Sequence, residues 1–314
     1  MIPDSARAVL KRQKYALFGR NSSAKLCHWT KKSIYNEGVC YKEAFYGIKC
    51  HRCVQMTPAT DACTHNCVFC WRAGDFSKVE VADPDEPREV VAGALAAQKL
   101  LVSGFGGEEK TDKKKWREAM EPRHAAISLS GEPFCYPPLG ELVSEFHRAG
   151  LSTFIVSNGT LPERIAALSA LPTQFYLSLV APDESTYAKV CAPLVSCGWK
   201  RFNESLELMG EMKARRVLRM TAVKGLNMHG EREYGKLIQK AQPDYVEVKS
   251  YMHRGSSIKR LTPENMPSHE EVAAFAAAVA AECGYSACAE SVPSRVVLLA
   301  RDDAAARNRV MRFG

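Results

Sequence analysis

The chain lacks an apolar leader. Its first twenty residues, MIPDSARAVLKRQKYALFGR, are interrupted by charge throughout, which argues against a secretory signal. It also lacks a long hydrophobic run: VAAFAAAVAA at 272–281 is too short to cross a bilayer. No internal repeat and no Gly/Ser linker divide it. Acidic residues are the scarcer charge, 35 against 43 basic ones, for a net of +8. That excess favours a polyanionic partner, although a mildly basic surface kept for solubility is the plainer explanation. What remains is ordinary globular material: 314 residues, 46% hydrophobic and 25% charged. This suffices for one large α/β domain or two small ones. Twelve cysteines without a secretory signal imply a soluble, cytoplasmic chain whose thiols are reduced or metal-bound.

From about Val54 onward, apolar strand candidates alternate with helix candidates. The strands are 54–57, 125–129, 153–157, 175–180, 217–223 and 245–249. The helices are 138–149, 161–171, 200–214, 231–241 and 268–283. This alternation predicts a parallel sheet, and six βα units suit a partial barrel better than a closed barrel of eight. Residues 285–301 add a last strand or a cover. The expected division is an N-terminal extension over 1–55 and a partial barrel over 56–314. The extension begins with a helix reaching about Leu17, capped by Asp4 or Ser5, and continues as a Cys-, Lys- and Tyr-rich stretch. Residues 106–123 form a charged insertion. It reads as a solvated loop or helix, with a nucleic-acid contact through Lys113, Lys114, Lys115 and Arg117, and stacking by Trp116, as the alternative.

Cysteine placement is the most informative feature. Cys63, Cys67 and Cys70 make a C-x3-C-x2-C triplet in ATDACTHNCVFCWR, directly after the first barrel strand. That loop lies at the mouth where barrels place their chemistry. Three thiolates hold three irons of a [4Fe–4S] cluster and leave the fourth open to a small chelating molecule. The competing reading is a zinc site that borrows His65 or a distant ligand. Upstream, Cys27, Cys40 and Cys53 are separated by two gaps of twelve residues. With Cys50 they also make a plausible four-thiolate zinc site. Cys135, Cys191, Cys197, Cys283 and Cys288 have no metal spacing and read as inert thiols.

The first triplet, with Phe69 before its last cysteine, resembles the signature of the radical S-adenosylmethionine (SAM) superfamily. The resemblance implies a cluster whose open iron is chelated by the methionine end of SAM, which is then cleaved to a 5′-deoxyadenosyl radical. It also implies SAM contacts from Ser130, Gly131, Glu132 and Pro133 after the second strand. Ser157 and Asn158 after the third would meet the ribose. Ser178 and Val223, in the fourth and fifth strands, would serve the carboxylate and adenine.

The two triplets together resemble the tRNA 4-demethylwyosine synthase family of the wybutosine pathway. So do YGIKCHRCVQMTPATDACTHNCVFCWR, SLSGEP, FIVSNGT, RMTAVKGLNM and YVEVKSYMHRGSS, which extend the likeness over nearly the whole chain. The family implies a second [4Fe–4S] cluster on Cys27, Cys40 and Cys53, leaving Cys50 out, and a lysine, Lys42, that works with pyruvate. The substrate implied is tRNA-Phe carrying 1-methylguanosine beside the anticodon. A carbon radical from its methyl group adds to pyruvate, which supplies two carbons of the new ring in a lyase-type reaction. The chain resembles the archaeal form, expected to be monomeric and to need an external flavodoxin- or ferredoxin-type electron donor. Lys249, Tyr251, His253 and Arg254 end the sixth strand. They face the mouth either as contacts to the anticodon loop or SAM or as rim packing. Two other readings stand beside this one: a radical SAM enzyme with an auxiliary cluster acting on a peptide or protein, and a zinc-stabilised RNA-binding protein.

Overall fold

The computed structural model describes residues 2–72 and 78–313. Ten strands form one sheet in the order β1-β2-β3-β4-β5-β6-β7-β8-β10-β9. They are β1 (Ala16–Phe18), β2 (Ser22–Ala24), β3 (Cys53–Thr57), β4 (His124–Ile127), β5 (Ser152–Ser157), β6 (Gln174–Ser178), β7 (Arg215–Ala222), β8 (Tyr245–Ser250), β9 (Ser286–Ser291) and β10 (Val296–Ala300). Strands β3 to β8 are mutually parallel. These six parallel strands with intervening helices are the partial (β/α)6 barrel expected from the alternation.

Both open edges carry antiparallel strands. β2 pairs with β3 and β1 with β2, while β10 pairs with β8 and β9 with β10. The expected boundary at 55/56 therefore falls inside β3, and the preceding segment supplies two strands to the same sheet. The first helix, Asp4–Arg12, is shorter than expected and is preceded by Pro3. The chain turns at Lys14, which has a positive φ of 65°.

Period-2 alternation splits each barrel strand. Ile155, Phe175, Leu177, Leu218, Met220, Val246 and Val248 belong to the main apolar core. That core also takes Leu142, Phe146, Leu206, Ile238 and Val279 from the helices over 139–148, 198–211, 231–241 and 269–283. The alternate residues Phe154, Tyr176, Val217 and Tyr245 form a separate cluster with Tyr41, Phe45 and Tyr46 of the extension.

Several helices were not anticipated, among them His28–Ile34, Tyr41–Tyr46, Pro87–Ser103, Glu184–Cys191 and Asp303–Arg307. Glu184–Cys191 is capped by Asp183, whose side chain accepts from the Thr186 amide at 2.9 Å. Pro87–Ser103 begins with proline in its first turn. With the following turn to Gly107, it is the one stretch among the described residues long and apolar enough to cross a membrane. Here Val90, Val91 and Ala94 of that helix are buried in the main core. In the charged insertion, Lys113–Ala119 is a helix capped by Asp112. Trp116 is not free to stack on a base: its indole nitrogen donates to the Val102 carbonyl at 3.0 Å and its ring packs beside Val102 and Ala119.

Candidate active site

A cavity of about 410 Å³ opens at the carboxyl ends of the barrel strands. Cys63, Cys67, Phe69 and Cys70 line one side, Ser130, Gly131, Glu132, Ser157, Asn158 and Ser178 the next, and Arg219, Thr221 and Lys249 the far side. The cysteine loop is clamped from two directions. Arg260 donates to the carbonyls of Val68 at 3.1 Å and Cys70 at 2.7 Å. From the other side, the Glu132 amide donates to the Ala62 carbonyl at 2.8 Å. This approach requires glycine at 131. Its φ is +68°, and a Cβ there would meet the Ala59 carbonyl oxygen at 1.9 Å. Ser130, where the superfamily pattern has a first glycine, uses its hydroxyl to hold the Thr60 carbonyl at 2.9 Å.

Glu132 organises the neighbouring strand ends. Its carboxylate accepts from Ser157 Oγ at 2.8 Å, the Asn158 amide at 2.7 Å and the Phe134 amide at 3.2 Å. Burial pushes its pKa up to about 7, and those three bonds hold it from rising further. Asn158 in turn donates to Thr64 Oγ1 at 2.7 Å and reaches Cys63 Sγ at 3.8 Å. Two expected residues stand back from the cavity wall. Pro133 opens a short 3-10 turn, and Val223 packs with Tyr251 and Leu261.

His65 is held beside the loop, its Nδ1 3.8 Å from Cys67 Sγ. Its Nε2 pairs with Tyr187 Oη at 2.6 Å, and burial lowers its pKa to about 3, leaving a neutral ring. His65, Cys67 and Cys191 bring their ligand atoms within 4.8 Å of one another, and Cys191 hydrogen-bonds Cys67. Thiolates on a single zinc lie roughly 4 Å apart. Neither the 63/67/70 set nor the 27/40/53 set is drawn together that closely among the described residues.

The second set assembles from three elements. Cys27 and Cys40 are the residues preceding the helices His28–Ile34 and Tyr41–Tyr46, and Cys53 begins β3. Burial and the neighbouring Cys27 push the Cys40 and Cys53 thiols up, Cys53 to about 12. Burying uncompensated thiolates is costly, and a bound cation relieves that cost. Cys50 is engaged differently. Its sulfur accepts from the Cys40 amide at 3.4 Å and lies 3.6 Å from the Trp29 carbonyl.

Lys42 turns into the barrel. Its Nζ lies 4.5 Å from the centre of the Tyr176 ring and 5.9 Å from that of Phe154. Burial, then Arg219, lower its pKa, against the pull of Glu247, Cys40 and Cys53. Arg219 sits 4.9 Å from the same Tyr176 ring and pairs with Glu247 at 2.8 Å.

Residues 57–237 match the radical SAM superfamily model and residues 240–301 the model for wyosine base formation. A tRNA 4-demethylwyosine synthase of Pyrococcus abyssi is 50% identical, over 96% of this chain and 90% of that protein. The one from Methanocaldococcus jannaschii is 38% identical over 96% and 98%. A solved structure of TYW1 with a lysine–pyruvate adduct bound superposes with a TM-score of 0.88, at 36% identity over 99% of this chain and 98% of that one.

The chain belongs to the tRNA 4-demethylwyosine synthase family. It is a radical SAM enzyme, and membership implies a [4Fe–4S] cluster with SAM. The peptide-modifying and zinc-stabilised RNA-binding readings are set aside. Within this synthase fold, sequence reasoning missed Arg219, Glu247 and Tyr176, which surround Lys42, and Tyr187 and Cys191, which flank the cysteine loop. The signal for the first pair was a charge alternating with apolar residues in each of two neighbouring strands, RRVLRMTA and YVEVKS. Of the four rim residues, Lys249 and Tyr251 line the cavity. His253 instead pairs with the Leu261 carbonyl at 3.0 Å.

Proposed function

We propose that the protein converts 1-methylguanosine beside the anticodon of tRNA-Phe to 4-demethylwyosine, with pyruvate as the two-carbon donor. The observation that carries this reading is Lys42, held in the barrel interior over Phe154 and Tyr176 and close to Cys40 and Cys53. The relative with a bound lysine–pyruvate adduct supports its role. Cys63, Cys67 and Cys70 would hold the cluster that binds SAM, and Cys27, Cys40 and Cys53 a second one, with Cys50 outside it. When bound, the first cluster supplies an electron that cleaves SAM and provides the radical that activates the substrate methyl group.

The chain's own residues then have separable tasks. Gly131, Glu132, Ser157 and Asn158, with Phe69 and Ser178, fix SAM against the cysteine loop. Pro133 shapes the turn that carries Glu132, and Val223 backs the adenine end. Lys42 presents its amine to the pyruvate carbonyl, and the aromatic floor of Phe154 and Tyr176 excludes water. The target base leaves its stack to enter the mouth, at a cost of a few kcal/mol. The N-terminal segment would supply Cys27 and Cys40, and the start of the first barrel strand Cys53, to the second set. The enzyme acts in the cytoplasm as a monomer supplied by an external flavodoxin- or ferredoxin-type donor.

The test is anaerobic incubation of reconstituted protein with methylated tRNA-Phe, SAM, pyruvate and a reductant, followed by mass spectrometry of digested tRNA. 4-Demethylwyosine that appears only with pyruvate is expected. SAM cleavage with no change in the tRNA would sink the reading.

A further inference from the structure

The inward positions of β7 and β8 carry more positive than negative charge. Glu247, with no side-chain exposure, accepts from Arg219 Nε at 2.9 Å, Tyr41 Oη at 3.0 Å and Tyr46 Oη at 2.9 Å. One carboxylate is thereby matched to one guanidinium. Lys249, two residues further along β8 and paired in register with Thr221, is left over. Its Nζ donates to the neutral Ser294 carbonyl at 2.9 Å, and among the described residues it is in no ion pair. It lines the cavity beside Arg219 and Thr221. Burial, then the Arg219 charge, lower its pKa to about 8. A partly desolvated cation facing an open cavity without a counter-ion is unfavourable, and a bound anion relieves it.

We propose that Lys249 is the docking cation for the carboxylate of pyruvate, an assignment that rests on the pyruvate-dependent reading above. SAM also carries a carboxylate, so position decides between them. The charges that act on Lys249 are Arg219, Glu247, Cys40 and Arg254. Arg219, Glu247 and Cys40 also act on Lys42. Arg219 shares the Tyr176 ring with Lys42 and the cavity wall with Lys249, so it is a neighbour of both amines. Glu132, Ser157 and Asn158, the linked polar group that reaches Cys63 of the cysteine loop, lie instead at the ends of β4 and β5. In a 2-keto acid the carbonyl and carboxylate carbons are adjacent, which suits an amine and a cation in one neighbourhood.

The experiment traps the Lys42 adduct on full-length, anaerobically reconstituted protein. Lys42 and the ketone condense to an imine with loss of one water. Cyanoborohydride then delivers hydride to the imine carbon, and a solvent proton completes a stable secondary amine, read by peptide mass spectrometry. Pyruvate and its uncharged methyl ester are titrated against wild type, Lys249→Gln and Lys249→Arg, and SAM binding is measured on each. The expected result is a half-saturating pyruvate concentration raised at least ~10-fold in Lys249→Gln, about the loss of one charge-assisted contact. Lys249→Arg should restore most of it, and the ester and SAM titrations should not move. Equal shifts for pyruvate and ester, no shift for either, or a loss confined to SAM would each overturn the assignment. No adduct in wild type with either compound would instead overturn the pyruvate reading on which it rests. If Lys249→Gln does not fold, Lys249→Met, which keeps the apolar stem and removes the charge, carries the same titrations with the same expected and overturning results.

Discussion

At the scale of single residues, Lys42 and Glu247 carry different burdens. Lys42 rests on aromatic faces, with no hydrogen bond that would fix its amine to the protein among the described residues. Replacing it with alanine should lower 4-demethylwyosine formation on the order of a hundredfold or more. Cleavage of SAM to 5′-deoxyadenosine should persist, and both products can be quantified in one assay. Loss of both together would mean that the lysine supports the fold. Glu247, itself without side-chain exposure, joins Arg219, Tyr41 and Tyr46. Glu247→Gln leaves the largely buried guanidinium uncompensated and should cost ~3–5 kcal/mol, seen as a lowered melting temperature. Burial pushes the Glu247 pKa up, but Arg219, Lys42 and the Tyr46 hydroxyl hold it below the usual range. A depressed carboxylate stabilises fully above its unfolded pKa of about 4.3, and that contribution fades as pH falls through the lower folded value. The stability gap between wild type and Glu247→Gln should therefore be constant near neutrality and narrow below about pH 4.3.

At the scale of elements, the two cysteine sets belong to unlike structures. The 63/67/70 set sits on one loop, clamped by Arg260 and the turn at Gly131. The 27/40/53 set is gathered from two helix starts and a strand start. Iron and sulfide analysis of reconstituted protein should give about eight irons per chain, falling to about four when either set is changed to alanine. Four irons in wild type, with zinc retained after loss of the first set, would exclude a second cluster. Gly131→Ala should weaken SAM binding without removing the loop cysteines, because its Cβ would drive the turn off the Ala59 carbonyl. A SAM titration in which the variant matches wild type would contradict that.

The same scale explains what could be read from the chain. The barrel strands were legible because each is a short apolar run between turn residues, and the cysteine loop because its ligands lie within eight residues. The helix Glu184–Cys191 was not, since its few apolar residues give little periodicity. The setting of Lys42 was invisible as well. Arg219 and Glu247 look like interruptions in RMTAV and YVEVK until the register of β7 with β8 sets them side by side. Charge in a strand is ordinarily a solvent-facing residue, and only barrel curvature turns these two inward.

At the scale of the molecule, a net charge of +8 and a polyanionic substrate predict binding that is largely electrostatic. Affinity for tRNA should fall steeply between about 50 and 200 mM salt, with a log–log slope that counts phosphate contacts. A flat slope, measured by filter binding, would remove the basic surface from the account. Trp116 is committed to packing, so changing Lys113, Lys114 and Lys115 should alter that slope, if at all, through charge and without loss of base stacking.

Tyr41 and Glu247 are 206 positions apart in sequence, and the Tyr46 carbonyl is tied to the Met311 amide at 2.9 Å. These contacts set an order of events during synthesis. The 63/67/70 loop can find Gly131 and Asn158 while translation continues. The His28–Ile34 helix after Cys27 can pack early, against Cys50 and the Val102–Ala119 cluster, whereas the Tyr41–Tyr46 helix that carries Lys42 completes its packing only when β8 and the residues near 311 arrive. Until then, Cys40 and the Lys42 amine are less protected on an unfinished chain, open to oxidants and stray metal, and in the cell the yield of a finished Lys42 site depends on how quickly the last segment folds back onto the first.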